Sequence, residues 1–167
     1  MTVVADSGPL IHLAIVGQFL LLKHCFHNLY IIPHIYDEVV TQGNGRPGDA
    51  ELRQAILENW ITNEPATDLE LQHQIHAPNI SDTGAAIIAT GLERNATLIL
   101  TDDFAVRGIA ERKGLLVMGT IGILTQACVE GLIPSLKPLL DQLIHEGFYL
   151  DPTGSMYQDA LRHVKEM

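Results

Sequence analysis

The chain has 167 residues, 47% of them hydrophobic, with ten Lys and Arg against twenty Asp and Glu and a formal net charge of −10. That is apolar material for a core and chain for about one average domain, residues 1–167, so a disordered protein is excluded. The charge argues against a protein that coats nucleic acid, though not against an enzyme that meets nucleic acid at one small site through a metal.

The first predicted strand is Thr2–Ala5, ended by Asp6. Ser7–Leu22 follows as the longest uncharged stretch, broken by Pro9, His12, Gly17 and Gln18. It falls short of the roughly 20 apolar residues of a membrane span and carries no basic lead, so neither anchor nor signal peptide is expected. Leu29–Ile32 is the second strand, and Pro33 opens a helix that carries Asp37 and Glu38. Gly43 is read as the left-handed residue that ends this helix, and Thr41–Gly48 as a mobile loop over a crevice. Trp60–Thr62 is the third strand, and Glu64–Ser81, with Pro65 and Pro78, is read as a loop.

Ala85, Ile88, Ala89 and Leu92 recur at helical spacing before the fourth strand, Thr97–Thr101, which ends in Asp102 and Asp103. Leu115–Met118 is the fifth strand, entered through a helix stop at Gly114. From Thr120 the chain reads as helical, with Pro134 opening a run, stops at Gly131 and Gly147, and a break at Asp151–Gly154. This 120–167 part should cap the sheet or pack against a partner. The strands lack in/out alternation, as expected where both faces are buried, and their alternation with helices implies an α/β fold built on a parallel sheet. Cys25 and Cys128 lack CxxC spacing, which points to a reducing cytoplasm rather than a disulfide framework or a zinc ribbon.

In open parallel sheets ligands bind beyond the carboxyl ends of the strands. Asp6, Asp102 and Asp103 stand at such ends, and Glu38 and Asp82 fall on helices that reach the same rim. Two unit charges about 4 Å apart repel by roughly 4 kcal/mol at an effective dielectric near 20. Either some of these acids carry protons or a cation lies between them, and an all-oxygen set favours Mg²⁺ or Mn²⁺. With no Ser-His-Asp or Cys-His arrangement in competition, the residues read as metal-assisted hydrolysis of a phosphoester. Taken singly, Asp6, Asp103 and Asp82 also suit helix caps and Glu38 a solvated surface charge.

The motif Val4-Ala-Asp-Ser-Gly-Pro-Leu-Ile-His-Leu-Ala resembles the opening of PIN domains, as do Ile32-Pro-His-Ile-Tyr-Asp-Glu-Val-Val and Leu100-Thr-Asp-Asp-Phe-Ala-Val-Arg. Gly43-Asn-Gly-Arg-Pro-Gly, Gly114-Leu-Leu-Val-Met-Gly-Thr-Ile-Gly-Ile-Leu and Gly131-Leu-Ile resemble a bacterial branch close to VapC-type toxins. The resemblance covers Thr2 to about Gly147. It implies a three-layer α/β/α PIN-like sandwich with a five-stranded sheet in order 3-2-1-4-5. It also implies a metal-dependent endoribonuclease that cuts RNA, often a homodimer and often the toxin held by a small antitoxin protein.

Carried over by position, the first family acid is Asp6, the second Glu38 and the fourth Asp102, the leading ligand candidate, with Asp103 binding through water or capping the helix. The third is expected about where Gly84 or Ala85 stands; Asp82 lies two or three residues upstream, roughly 3–4.5 Å of helical rise. Either Asp82 substitutes, or the site is weakened and the chain is a catalytically impaired RNA- or protein-binding module. Ser7, Thr101, Arg46 and Arg107 are supporting or substrate-binding candidates. His12, between Ile11 and Leu13, reads as a core or interface residue. The spacing GxGxxG at Gly43–Gly48 follows a helix and contains Pro47, which speaks against a dinucleotide site. A phospho-acceptor receiver domain is disfavoured because the acid pair follows strand four and no Lys follows strand five.

Overall fold

The computed structural model describes residues 1–167. Five short strands form one parallel sheet in the order β3-β2-β1-β4-β5: β1 (Val3–Ala5), β2 (Leu29–Ile31), β3 (Ile61–Asn63), β4 (Leu98–Leu100) and β5 (Leu116–Met118). This is the topology and class expected from the sequence. The central strand β1 is buried along its whole length, whereas Leu116 on the edge strand β5 is exposed. The lack of in/out alternation follows from that burial on both faces.

Right-handed crossovers distribute the helices between two layers. On one side lie α1 (Ser7–Ile15), α2 (Leu21–Cys25), α3 (Pro33–Tyr36) and α4 (Asp49–Leu57). On the other lie α5 (Leu69–Ile75), α6 (Asp82–Glu93) and α7 (Phe104–Arg112). Helix α6 packs over β1 and β4, between α5 and α7. Its inner face can approach the sheet closely because it is made of Gly84, Ala85, Ile88, Ala89 and Gly91, all buried. Helix α8 (Thr120–Val129) packs on α1 and α2, and α10 (Ser155–His163) packs in turn on α8. Between them runs α9 (Lys137–His145). The last residues fold back: the Glu166 carboxylate accepts from the Leu136 and Lys137 amides, both at 2.7 Å, at the entry to α9. No helix is long and apolar enough to cross a membrane.

Three local expectations are corrected. The stretch Glu64–Ser81 is not all loop, because Asp68 caps α5 by accepting from the Leu71 amide. Pro134 does not open a helix; α9 begins at Lys137, with Pro138 in its first turn. Gly43 is not left-handed; α3 runs on into a π-turn over Asp37–Thr41, and the positive φ angles fall on Asn44, Gly45 and Gly48. A side chain at Gly43 would run into the Val39 carbonyl, 1.9 Å from an ideal Cβ, so the glycine serves a close approach rather than a helix stop. The loop after it is tied to the start of α4. Buried Asp49 accepts from the Gly45 amide at 2.6 Å and from Arg53 Nε at 2.8 Å.

Candidate active site

The register of the two central strands builds the site. Ala5 pairs with Leu100, and the Asp6 amide donates to the Leu100 carbonyl at 2.8 Å, extending the ladder one step past the strand. That brings Asp6 beside Thr101. The buried Thr101 hydroxyl donates to Asp6 Oδ2 at 2.8 Å and accepts from the Asp103 amide at 3.1 Å, so one hydroxyl ties the two strand ends together.

Asp6 and Asp103 are both helix caps and both line the hollow. Asp6 Oδ1 accepts from the Ser7 amide at 2.7 Å at the start of α1. Asp103 Oδ1 accepts from the Ala105 and Val106 amides at 2.8 and 3.1 Å at the start of α7, which leaves its second oxygen without a protein donor. Glu38 lies within the π-turn, whose wider ring is closed by the Gln42 amide on the Asp37 carbonyl at 2.8 Å. Its carboxylate is 3.2 Å from His34 Nε2 one turn earlier.

Together Asp6, Ser7, Glu38, Asp102 and Asp103 line a hollow of about 280 Å³, closed on the α6 side by Ser81, Thr83 and Gly84. Burial pushes the Asp6 carboxyl above its usual range. The bonds from Thr101 and Ser7 pull it back, and the charges of Glu38 and Asp103 push it up again. These acids therefore repel one another.

Asp102 is placed differently. Its Oδ1 accepts from the Thr120 amide at 2.7 Å; its Oδ2 accepts from the Thr120 hydroxyl at 2.6 Å and from His12 Nδ1 at 2.8 Å. The side chain passes between two glycines, an ideal Cβ lying 3.1 Å from it at Gly8 and 2.8 Å from it at Gly119. Burial acts to raise its pKa, but the hydrogen bonds from His12 and Thr120 outweigh that and hold the carboxyl below its usual range. Asp102 thus faces the hollow with most of its acceptor capacity already used.

The remaining candidates lie elsewhere. The Asp82 side chain is 89% exposed, 3.3 Å from His76 Nδ1, and does not line the hollow. Ser81 is the cap of α6, accepting from the Gly84 amide at 3.0 Å, so Asp82 sits one residue inside the helix and turns outward. Arg46 is exposed on the loop before α4 and does not line the hollow. Arg107 lies in a neighbouring groove, 3.6 Å from Glu111. Position 84 has no room for an acid, since an ideal Cβ there falls 2.7 Å from Ile80 Cγ1 and 2.9 Å from Val106 Cγ2. Ala85 is buried. The residues missed from sequence are His12 and Thr120. Thr120 was within reach, because Gly119-Thr120 follows β5 at the same carboxyl edge; His12 is joined to Asp102 only by tertiary packing.

The hollow's donor set is all oxygen and net anionic, the chemistry of a hard divalent ion. Even so, no three His, Cys, Asp or Glu side chains are drawn together into a ready ligand cluster. Asp6, Glu38 and Asp103 are the side chains that could hold such an ion: all three line the hollow, and the second Asp103 oxygen takes no protein donor. A comparison with curated proteins found no match. A family model described as a PIN domain matches residues 2–166. The chain therefore belongs to the PIN-domain family, whose members are generally nucleases and typically use divalent metals.

Proposed function

We propose that the protein is a metal-dependent endoribonuclease that hydrolyses RNA phosphodiester bonds, with Mg²⁺ or Mn²⁺ held by Asp6, Glu38 and Asp103. One observation carries this reading: three carboxylates from three separate segments line one small hollow at the carboxyl ends of β1 and β4. A bound dication would lower the pKa of a water and polarise a phosphoryl oxygen there.

The chain's own groups hold that arrangement. Thr101 fixes the Asp6 carboxylate by its 2.8 Å bond and the start of α7 by the Asp103 amide. Asp102 acts as a positioning residue: through Thr120 it ties the end of β4 to the start of α8, and through His12 it ties both to α1. Ser7 lines the hollow beside Asp6, its hydroxyl 3.5 Å from the Asp6 Oδ1 to which it donates. The acids themselves repel a phosphate, so substrate enters only once their charge is offset.

The reading extends to a small antitoxin protein as inhibitor, a homodimer and a cytoplasmic setting; the resemblance of the glycine motifs to VapC-type toxins supports these. The test is cleavage of a set of RNAs with Mn²⁺, with EDTA, and by Asp6→Asn. Cleavage that needs metal and disappears in Asp6→Asn is expected; undiminished cleavage by Asp6→Asn removes the reading.

A second reading, an impaired PIN-like module that binds RNA or protein without cutting, is favoured by the α6 wall. There Thr83 and Gly84 line the hollow where the family's third acid is expected, and Asp82 points away. Failure of Mn²⁺ to raise the unfolding temperature would favour it, because a ligand that binds only the native state stabilises by mass action.

A further inference from the structure

A second cavity, about 920 Å³, opens on the far side of Asp102 and Asp103, which line both it and the acidic hollow. Its walls include Phe104, Phe148, Tyr149 and Met156, with His12 and Arg107 among them. Such a volume lies at the upper end of the roughly 300–1,000 Å³ of small-ligand sites. Two of its rings are unusually bare: Phe104 is 68% and Tyr149 97% exposed. The ring of His12 meets Phe148 edge-on, centroids 4.6 Å apart at 87°, with Nδ1 committed to Asp102 and no protein partner at Nε2. Arg107 adds a guanidinium whose carboxylate neighbour, Glu111, is 3.6 Å away.

We propose that this groove seats an unpaired nucleobase of a single-stranded RNA whose adjoining phosphate lies at the acidic hollow. The assignment rests on the nuclease reading for the neighbouring phosphate, and on three features for the base. Open aromatic faces suit base stacking, which is tolerant of sequence. The free ring nitrogen of His12 suits a base edge. Arg107 supplies the one guanidinium in the groove, suited to the next phosphate. Because the two cavities share Asp102 and Asp103, a strand lying across the hollow continues directly into the groove. A duplex keeps its bases stacked and paired, so the occupant is a single strand.

The test is fluorescence anisotropy with a labelled 12-nucleotide oligouridylate and its abasic counterpart, with the same ribose–phosphate backbone, once in EDTA and once in Ca²⁺. The wild type should bind the base-bearing strand about tenfold more tightly, roughly the effect of one base–aromatic stack. Tyr149→Ala and Phe104→Ala, both at exposed positions, should lower that preference toward one, while Leu57→Ala on α4 keeps it. Equal binding of the two strands by the wild type, a preference retained in both aromatic variants, or no binding in either buffer overturns the proposal. In the first two cases the apolar walls would belong to a protein partner. Failure of the nuclease reading looks different: no cleavage with Mn²⁺, with the base preference intact.

Discussion

Asp6 and Asp102 end neighbouring strands one position apart in register, yet the fold treats them in opposite ways. Asp6 accepts from the Ser7 amide and the Thr101 hydroxyl, shares its hollow with Glu38 and Asp103, and is pushed toward its protonated form by burial and by those charges. Asp102 is enclosed by His12 and Thr120 and held ionised by them. The difference separates two jobs that adjacent acids at a strand end can perform. On the proposed reading one binds something from outside, at a cost in repulsion; the other knots three elements of the fold together.

The largest contrast is expected from truncating the knot. Asp102→Ala leaves the Thr120 amide, the Thr120 hydroxyl and His12 without their partner and should cost about 3 kcal/mol in chemical denaturation. Asp6→Asn keeps the size and the cap on the Ser7 amide, its NH2 now donating to the Thr101 hydroxyl, while removing repulsion, so its stability should lie within about 1 kcal/mol of wild type. A comparable loss in both variants would erase the distinction.

Next in size is the response to metal. Saturating Mn²⁺ at about a hundred times its dissociation constant should stabilise the wild type by about 2.7 kcal/mol, read as a rise in melting temperature, and Glu38→Gln should abolish most of it. A rise that survives Glu38→Gln would remove the π-turn from the binding set. Gly84→Ala then probes the third wall: its Cβ meets Ile80 and Val106, and a loss of about 1–2 kcal/mol is expected in the same unfolding experiment.

The smallest effect is in pH dependence, and its sign differs between the two acids. The Asp102 pKa is lowered in the folded state, so its contribution is present above the unfolded value near 3.9 and is lost as pH falls through the folded one. The Asp6 pKa is raised, so its contribution is present below about pH 3.9 and is lost as pH rises through the folded value. Stability measured against pH should therefore fall less steeply below about pH 4 in Asp102→Asn, whereas Asp6→Asn should gain on the wild type above that pH.

Much of this architecture is legible in the sequence, for physical reasons. Buried parallel strands are short continuous apolar runs, and the strand-end rule points to Asp6, Asp102 and Asp103 before any coordinates. What the sequence does not carry is the direction of a side chain at a strand end. Asp102 and Asp103 are adjacent and chemically identical, and only the packing of α1 and α8 decides which of them His12 and Thr120 enclose. Asp82 failed to reach the hollow for a similar reason. Ser81, one residue earlier, takes the cap, and the helix phase then turns Asp82 to solvent. The π-turn that carries Glu38 leaves no local signature that separates it from an ordinary helix.

The sharpest experiment follows from that adjacency: calorimetric titration of Mn²⁺ into wild type, Asp103→Asn and Asp102→Asn, with folding checked by circular dichroism. Asn still caps α7, so Asp103→Asn remains folded, and it should lose Mn²⁺ binding, whereas Asp102→Asn should bind within a few fold of wild type. Binding lost in Asp102→Asn and retained in Asp103→Asn would contradict the division of labour between the two acids.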